Sequence, residues 1–181
     1  MHPRTEELIR QLDESRGALR AAVDGVPSSL HETRPGPDRW SVAEVLEHLS
    51  RVEDGLTRLL ASKLAEAKMT GRLDPEPESG PIADPIDRDR LLDRTRRIVA
   101  SERVQPQGGM SSVTGLEALA RSREKLRDLI IAHDGLSIGA ISHPHPVLGV
   151  INGYQWFAFI AAHEARHAAQ IREIAERLRP R

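Results

Sequence analysis

The sequence predicts an all-α fold, a four-helix bundle in which a long crossover joins the second and third helices. Apolar residues recur every three to four positions in four long segments, which is the spacing of a helix face that packs on a core. Three of these segments open with Ser, Thr or Asn followed three residues later by Glu or Gln, a pattern typical of helix N-termini. Strand-like runs are few. The length of 181 residues suits a single domain, residues 1–181, with its own core.

The second helix has the clearest predicted start. Ser41 and Glu44 are spaced as a capping box, and Trp40 and Val45 are placed for the hydrophobic staple that often accompanies one. The other two starts of this kind are Thr114 with Glu117 and Asn152 with Gln155. The predicted helices cover about residues 5–24, 42–68, 114–133 and 152–178.

A long segment rich in Pro and Gly, residues 69–112, connects the second and third helices. A connection of this length is unusual in a simple up-down bundle, whereas a bundle with a crossover accommodates it. Residues 87–99 are predicted to form a short helix inside it.

The composition excludes several classes of protein. The formal net charge of −1 argues against nucleic-acid binding driven by bulk charge. The longest apolar run, residues 156–162, is too short to cross a membrane, and the charged N-terminus has no apolar signal-peptide region, so we expect a cytoplasmic protein. The chain has no Cys, so a metal site must use His, Asp or Glu.

The predicted last helix carries the sequence HEARH. His163 and His167 lie four residues apart, roughly 40° around the helix axis, on the apolar face that points into the bundle. Buried neutral imidazoles need polar partners, and a divalent metal ion satisfies several at once. The alternative is a pair of core histidines held by ordinary hydrogen bonds.

A third histidine, His48, lies on the apolar stripe of the second helix and could converge with this pair. Three histidines leave a fourth position open, as catalytic metal sites require. HEARH also matches H-E-x-x-H of metalloproteases, with Glu164 as the base. That class needs a third ligand downstream, but Glu173 stands where some members have His, and the chain after His167 is too short for another helix. We therefore disfavour the protease interpretation and expect Glu164 to be peripheral.

Other polar residues have two interpretations each. Arg123 interrupts the apolar side of the third helix, either as a contact to an anionic substrate or as an ion-paired or snorkelling Arg. Arg166 and Gln170 flank the His pair and either support it or face solvent. His143 and His145 lie in a Pro-rich segment, for which an ordinary loop is favoured over a place at a pocket mouth.

Several of these motifs occur together in one family. W-S-x-x-E-x-x-x-H from Trp40 to His48, H-x-x-R-H-x-x-Q from His163 to Gln170, and the segment HPVLGVINGYQW between the third and fourth helices resemble the DinB-like superfamily. The similarity is greatest to its branch of metal-dependent hydrolases and thiol S-transferases.

The resemblance implies a divalent metal ion, zinc, nickel or iron-like, held by His48, His163 and His167. It also implies a small-molecule substrate and a low-molecular-weight thiol such as bacillithiol or mycothiol as cosubstrate. Members of the family often pair, and apolar residues that one bundle would not cover, Leu59, Leu60, Val147 and Leu148, lead us to expect a homodimer. From the net charge and the short apolar run we expect neither nucleic acid nor a membrane as partner. We therefore favour transfer of a thiol to an electrophilic small molecule. A metal-dependent hydrolase and a non-catalytic metal-binding module stay open as alternatives.

Overall fold

The computed structural model describes residues 1–82, 86–95 and 99–179. Four long helices dominate this part of the chain, so the mostly helical class is confirmed and the predicted helix ends lie within a few residues of those observed. The elements are α1 Pro3–Asp24, α2 Val42–Met69, α3 Arg88–Leu92, α4 Ser112–Ile131, β1 Ser142–His145, β2 Gly149–Asn152 and α5 Gly153–Leu178.

Two of the three predicted capping boxes are confirmed, at Ser41 before α2 and at Asn152 before α5. The third prediction, at Thr114, is wrong because Ser111 caps α4 three residues earlier and its side chain accepts a hydrogen bond from the Thr114 amide. Because α4 begins at Ser112, Gly115 lies within its first turn, where the helix faces α2. A Cβ there would come within 2.8 Å of Leu46 Cβ, so the missing side chain permits the close approach of α4 to α2.

The long helices pack in pairs, α1 along α5 and α2 along α4, and bury two apolar clusters. One cluster contains Leu12, Leu60, Leu126 and Phe157; the other contains Leu19, Leu49, Leu119 and Ile171. Charged residues occupy the position between the clusters on every long helix. They are Arg16 on α1, Glu53 on α2, Arg123 on α4 and Glu164 on α5.

A short antiparallel hairpin before α5 corrects the all-α prediction. Strand β1 contains the sequence SHPH, for which the sequence favours a loop, and it pairs with β2 from Ser142 opposite Asn152 to His145 opposite Gly149. A two-stranded hairpin consists only of edge strands, which tolerate a Pro that cannot donate a hydrogen bond. Pro144 therefore does not prevent pairing.

The crossover contains less helix than predicted. Helix α3 spans Arg88–Leu92 and is capped by the Asp87 side chain, which accepts from the Arg90 amide. Of the rest of the predicted helix, residues 96–98 lie outside the described residues, and residues 93–95 and 99 are not helical. Among the described helices, none is both long and apolar enough to cross a membrane.

Candidate metal centre

Three imidazoles converge between α2 and α5. Helix α2 carries His48, and two successive turns of α5 carry His163 and His167. The Nε2 atom of His163 lies 3.4 Å from Nε2 of His48 and 3.2 Å from Nε2 of His167. Each of the three residues offers one ring nitrogen, and these atoms all lie within 4.8 Å of one another. The structure therefore brings together the histidines that the sequence singled out.

Hydrogen bonds on the far side of two rings fix their orientation. Nδ1 of His48 lies 2.7 Å from the carbonyl oxygen of Val104, and Nδ1 of His167 lies 2.7 Å from Oε1 of Gln170. A carbonyl oxygen only accepts, so Nδ1 must carry the proton in both rings. Each neutral ring then directs the lone pair of Nε2 at the shared centre, which is how metal-binding histidines are usually held.

The spacing of the Nε2 atoms fits a divalent cation. Nε2 of His48 and Nε2 of His167 direct their lone pairs towards Nε2 of His163, 3.4 Å and 3.2 Å away. With the His163 proton on Nδ1, a divalent cation at the shared centre accepts a lone pair from all three rings. A tetrahedral zinc ion with Zn–N distances of about 2.0–2.1 Å places its nitrogen ligands roughly 3.3–3.4 Å apart. The two Nε2 distances from His163 therefore match the edge lengths of such a site.

Burial keeps the triad in the neutral form that binds metal. Loss of hydration lowers the pKa of His48, of His163 and of His167 below the ordinary value. For His163 this effect, together with the charges of His48 and Arg166, lowers the pKa to about 3. Protons therefore compete weakly with a metal ion at His163 near neutral pH.

The lowered pKa of His163 predicts how the metal-free protein responds to acid. A folded-state pKa below the unfolded value of about 6.5 gives stability that is fully present above pH 6.5 and is lost as the pH falls towards 3. Urea unfolding with a chelator present should therefore show a free energy of unfolding that decreases by about 1.4 kcal/mol per pH unit below pH 6 from His163 alone. The His163→Gln variant should show a shallower dependence, and an equal slope in both proteins would contradict the prediction.

Aromatic rings flank the triad on two sides. Trp40, which the sequence suggested as a staple, stacks near His167 with ring centroids 6.3 Å apart and lies 5.0 Å from His48. Phe159 stacks on His163 at 5.4 Å. Sequence reasoning missed Phe159, although it lies one turn before His163 on the same face of α5.

His145 reaches the edge of this aromatic group. Its ring contacts Phe159 at 4.3 Å and Trp156 at 5.1 Å, and its Nδ1 accepts hydrogen bonds from the amides of Val147 and Leu148. The hairpin therefore places His145 in the aromatic cluster beside His163. His143 contacts Trp156 but is more exposed than His145.

Glu164 belongs to a buried ion network in the core, which the sequence did not predict, and it is not among the converging ligands. Its side chain accepts hydrogen bonds from Ser15 Oγ at 2.6 Å, from Arg16 Nε at 2.6 Å and from Arg123 Nη2 at 2.9 Å. Both carboxylate oxygens are thus engaged by charged or hydroxyl donors. A Glu held in this way does not match the base of a metalloprotease, which must take a proton from water.

Arg123 occupies the centre of the same network. Its guanidinium donates to Glu53, to Glu164 and to the carbonyl oxygen of Leu12, and the residue is 6% exposed. These contacts agree with the ion-paired interpretation. The role of Arg123 as a substrate contact stays a prediction that its geometry does not favour.

The residues that flank the histidine pair have different roles. Gln170 holds the His167 ring, as described above. Arg166 is buried, and its Nη1 donates to the carbonyl oxygens of Leu91 and Asp93, so it ties the crossover to α5. Arg94 in the same part of the crossover pairs with Glu173 of α5 at 2.6 Å. The helix that carries two of the histidines therefore also anchors the crossover.

Comparison with known protein families assigns the chain to one of them. Residues 11–171 match the DinB superfamily. The chain belongs to the DinB superfamily. Among relatives of this DinB-superfamily chain, the uncharacterized protein YuaE of Bacillus subtilis (strain 168) is 27% identical over 157 residues, which cover 86% of this chain and 90% of YuaE. No solved structure matches the chain.

Proposed function

We propose that this protein binds one divalent metal ion through Nε2 of His48, His163 and His167 and presents an open coordination position to small molecules. The observation that carries the proposal is that Nε2 of His163 lies 3.4 Å from Nε2 of His48 and 3.2 Å from Nε2 of His167, while the latter two rings direct Nδ1–H at oxygen acceptors outside the triad. Nitrogen ligands of this kind suit zinc, nickel or iron. Membership of the DinB superfamily supports the same conclusion.

We further propose that the protein is an enzyme that transfers a low-molecular-weight thiol to an electrophilic small molecule. A bound divalent ion would hold the thiol as a thiolate. The chain has no Cys, so the nucleophilic sulfur must come from a cosubstrate. In the reaction the sulfur forms a bond to the electrophilic carbon, the leaving group departs with its electron pair, and the thiol proton passes to solvent.

The ion pairs of Glu164 favour thiol transfer over hydrolysis as the reaction. A hydrolase of the H-E-x-x-H type needs its Glu to accept a proton from water, whereas Glu164 is paired with Arg16 and Arg123 in the core. A thiol that binds as a thiolate has already lost its proton and needs no such base. Hydrolysis by another arrangement, and metal binding without turnover, are the alternatives that the test must separate.

The test has two parts. Protein purified without a chelating tag should contain about one equivalent of zinc, nickel or iron by elemental analysis, as three convergent histidines predict. The loaded protein should then consume an aromatic electrophile only when bacillithiol or mycothiol is added. Consumption without thiol would indicate a hydrolase. Metal binding without consumption of any electrophile would favour a binding module, and absence of bound metal would refute the whole proposal.

We propose that residues 1–181 form a single domain with a four-helix-bundle fold, and that this domain carries the site. Support comes from the pairing of α1 with α5 and of α2 with α4, and from the two shared apolar clusters. The cytoplasmic location and the homodimer that the sequence analysis favoured stay predictions.

A further inference from the structure

One segment of the crossover lies against the metal centre, and we call residues 101–109 the strap. A single 3-10 turn, Glu102–Val104, places the Val104 carbonyl oxygen on Nδ1 of His48. The strap then continues through two glycines with positive φ, Gly108 at 78° and Gly109 at 88°. The hydrogen bond that orients one of the three histidines is therefore supplied by a non-helical segment that must itself be held in place.

Glu47 holds the other end of the strap. Its carboxylate accepts hydrogen bonds from the amides of Gln107 at 3.0 Å and Gly108 at 3.2 Å. Arg51, one turn later on α2, pairs with Glu47 at 3.0 Å and donates to Gln107 Oε1 at 2.9 Å. Two adjacent residues of α2 thus form hydrogen bonds to the strap: Glu47 to residues 107–108, and His48 to Val104.

Neither helix formation nor core packing explains Glu47. The residue is 2% exposed, and a buried carboxylate is costly unless donors surround it. Two of its donors are strap amides, which reach the carboxylate only when the strap is docked. The docked strap and the buried charge therefore depend on each other.

We propose that Glu47 is a positioning residue of the metal centre and acts through the strap on His48. This inference rests on the proposed metal site. Without Glu47 the strap loses two anchoring hydrogen bonds, and the Val104 carbonyl oxygen is no longer held at Nδ1 of His48. The imidazole then rotates and exchanges tautomers, so fewer molecules present Nε2 to the ion. Partners that orient a metal-binding His in this way typically change metal affinity by about 10–100-fold.

The coupling works in both directions. If a docked strap raises the affinity for metal, bound metal must stabilise the docked strap by the same factor. We therefore expect zinc to slow amide hydrogen exchange in residues 101–109, with the amides of Gln107 and Gly108 most affected. Loss of Glu47 should abolish this slowing at the two amides, although zinc still binds.

The first experiment compares two buried carboxylates of the full chain. Glu47→Gln should lower zinc affinity about 10-fold or more in competition with a chromophoric chelator, with unchanged helicity by circular dichroism. Glu76→Gln is the matched control, because the Glu76 side chain is 4% exposed against 3% for the Glu47 side chain, and it also accepts from the backbone amide of Glu78 and from Arg4. Glu76 accepts a hydrogen bond from the Tyr154 hydroxyl at the start of α5. The Glu76→Gln variant should therefore bind zinc as the wild type does.

A second pair of variants keeps the test valid if Glu47→Gln fails to fold. Gly108→Ala forces a side chain into the left-handed backbone region in the strap, and Gly71→Ala does the same at the end of α2, with no atom near either new Cβ. Both should be destabilised similarly, but only Gly108→Ala should weaken zinc binding, by a few-fold.

The outcomes separate the two proposals. Wild-type protein that does not bind zinc at all refutes the metal site and, with it, this inference. Zinc binding that is equal in wild type, Glu47→Gln and Gly108→Ala refutes the role of Glu47 alone and leaves the metal site standing. An equal loss of affinity in Glu76→Gln would show that general destabilisation is the cause, and that result also overturns the inference.

Discussion

Replacing His167 with Ala will lower the affinity for zinc by about 10²–10⁴-fold while the helices stay folded. The binding free energy of structural zinc in zinc-finger peptides is about 10–16 kcal/mol, and dividing it among three or four ligands gives roughly 3–5 kcal/mol for each. Every 1.4 kcal/mol corresponds to a tenfold change in affinity. Chelator competition measures this loss, and metal-dependent turnover should disappear with it.

The fold of this variant should persist because its determinants lie elsewhere. The capping boxes at Ser41 and Asn152 and the two apolar clusters do not involve His167. Zinc raises the melting temperature of a protein that binds it in the native state, so the wild type should be stabilised by zinc and the variant should not. The variant should still unfold cooperatively and keep its helical circular dichroism spectrum.

His133→Ala is the control for loss of one imidazole. His133 is partly buried and bonds through Nδ1 to the carbonyl oxygen of Leu129, at the end of α4. Its removal should leave zinc affinity and the zinc-induced rise in melting temperature unchanged. A His167→Ala protein that binds zinc as tightly as the wild type would show that the triad is not the site.

Replacing Glu164 with Gln will lower the free energy of unfolding by about 3–5 kcal/mol, because the buried charges of Arg16 and Arg123 are then balanced by only one carboxylate, that of Glu53. In the wild type the carboxylate is 2% exposed and pairs with Arg16 and Arg123. A Gln side chain accepts with one oxygen only, and its NH₂ group then faces donors. For a chain of this size the loss corresponds to a fall in melting temperature of roughly 6–20 °C.

The same variant should keep the zinc affinity of the folded protein within a few-fold of the wild type, because Glu164 is not one of the converging ligands. Activity per folded molecule should also survive. Loss of turnover with unchanged stability and bound metal would contradict this expectation and restore Glu164 as a general base of the H-E-x-x-H kind.

Glu173→Gln provides the matched control on the same helix. Glu173 pairs with Arg94, but its side chain is 40% exposed, and exposed ion pairs contribute about 0–1 kcal/mol. The melting temperature should therefore change little. The contrast between Glu164 and Glu173 isolates the effect of burial from the effect of losing one carboxylate.

Local sequence patterns were sufficient to predict the long helices and the positions of the three histidines. Spacing by four residues puts His163 and His167 on one face of α5, and the apolar stripe of α2 includes His48. These features depend on residues within one or two helical turns, so the sequence shows them directly. The same local reasoning misplaced the start of α4, because Ser111 and Thr114 both have side chains that can cap a helix.

Contacts between distant parts of the chain could not be inferred in the same way. Arg123 looked equally suited to a substrate and to an ion pair, because its partners Glu53 and Glu164 lie 70 and 41 residues away. The Val104 carbonyl that orients His48 is 56 residues distant and belongs to a segment without periodicity. Such partners are selected by packing of the whole chain. The sequence therefore specified which side chains face inward, and the tertiary arrangement decided which of them meet.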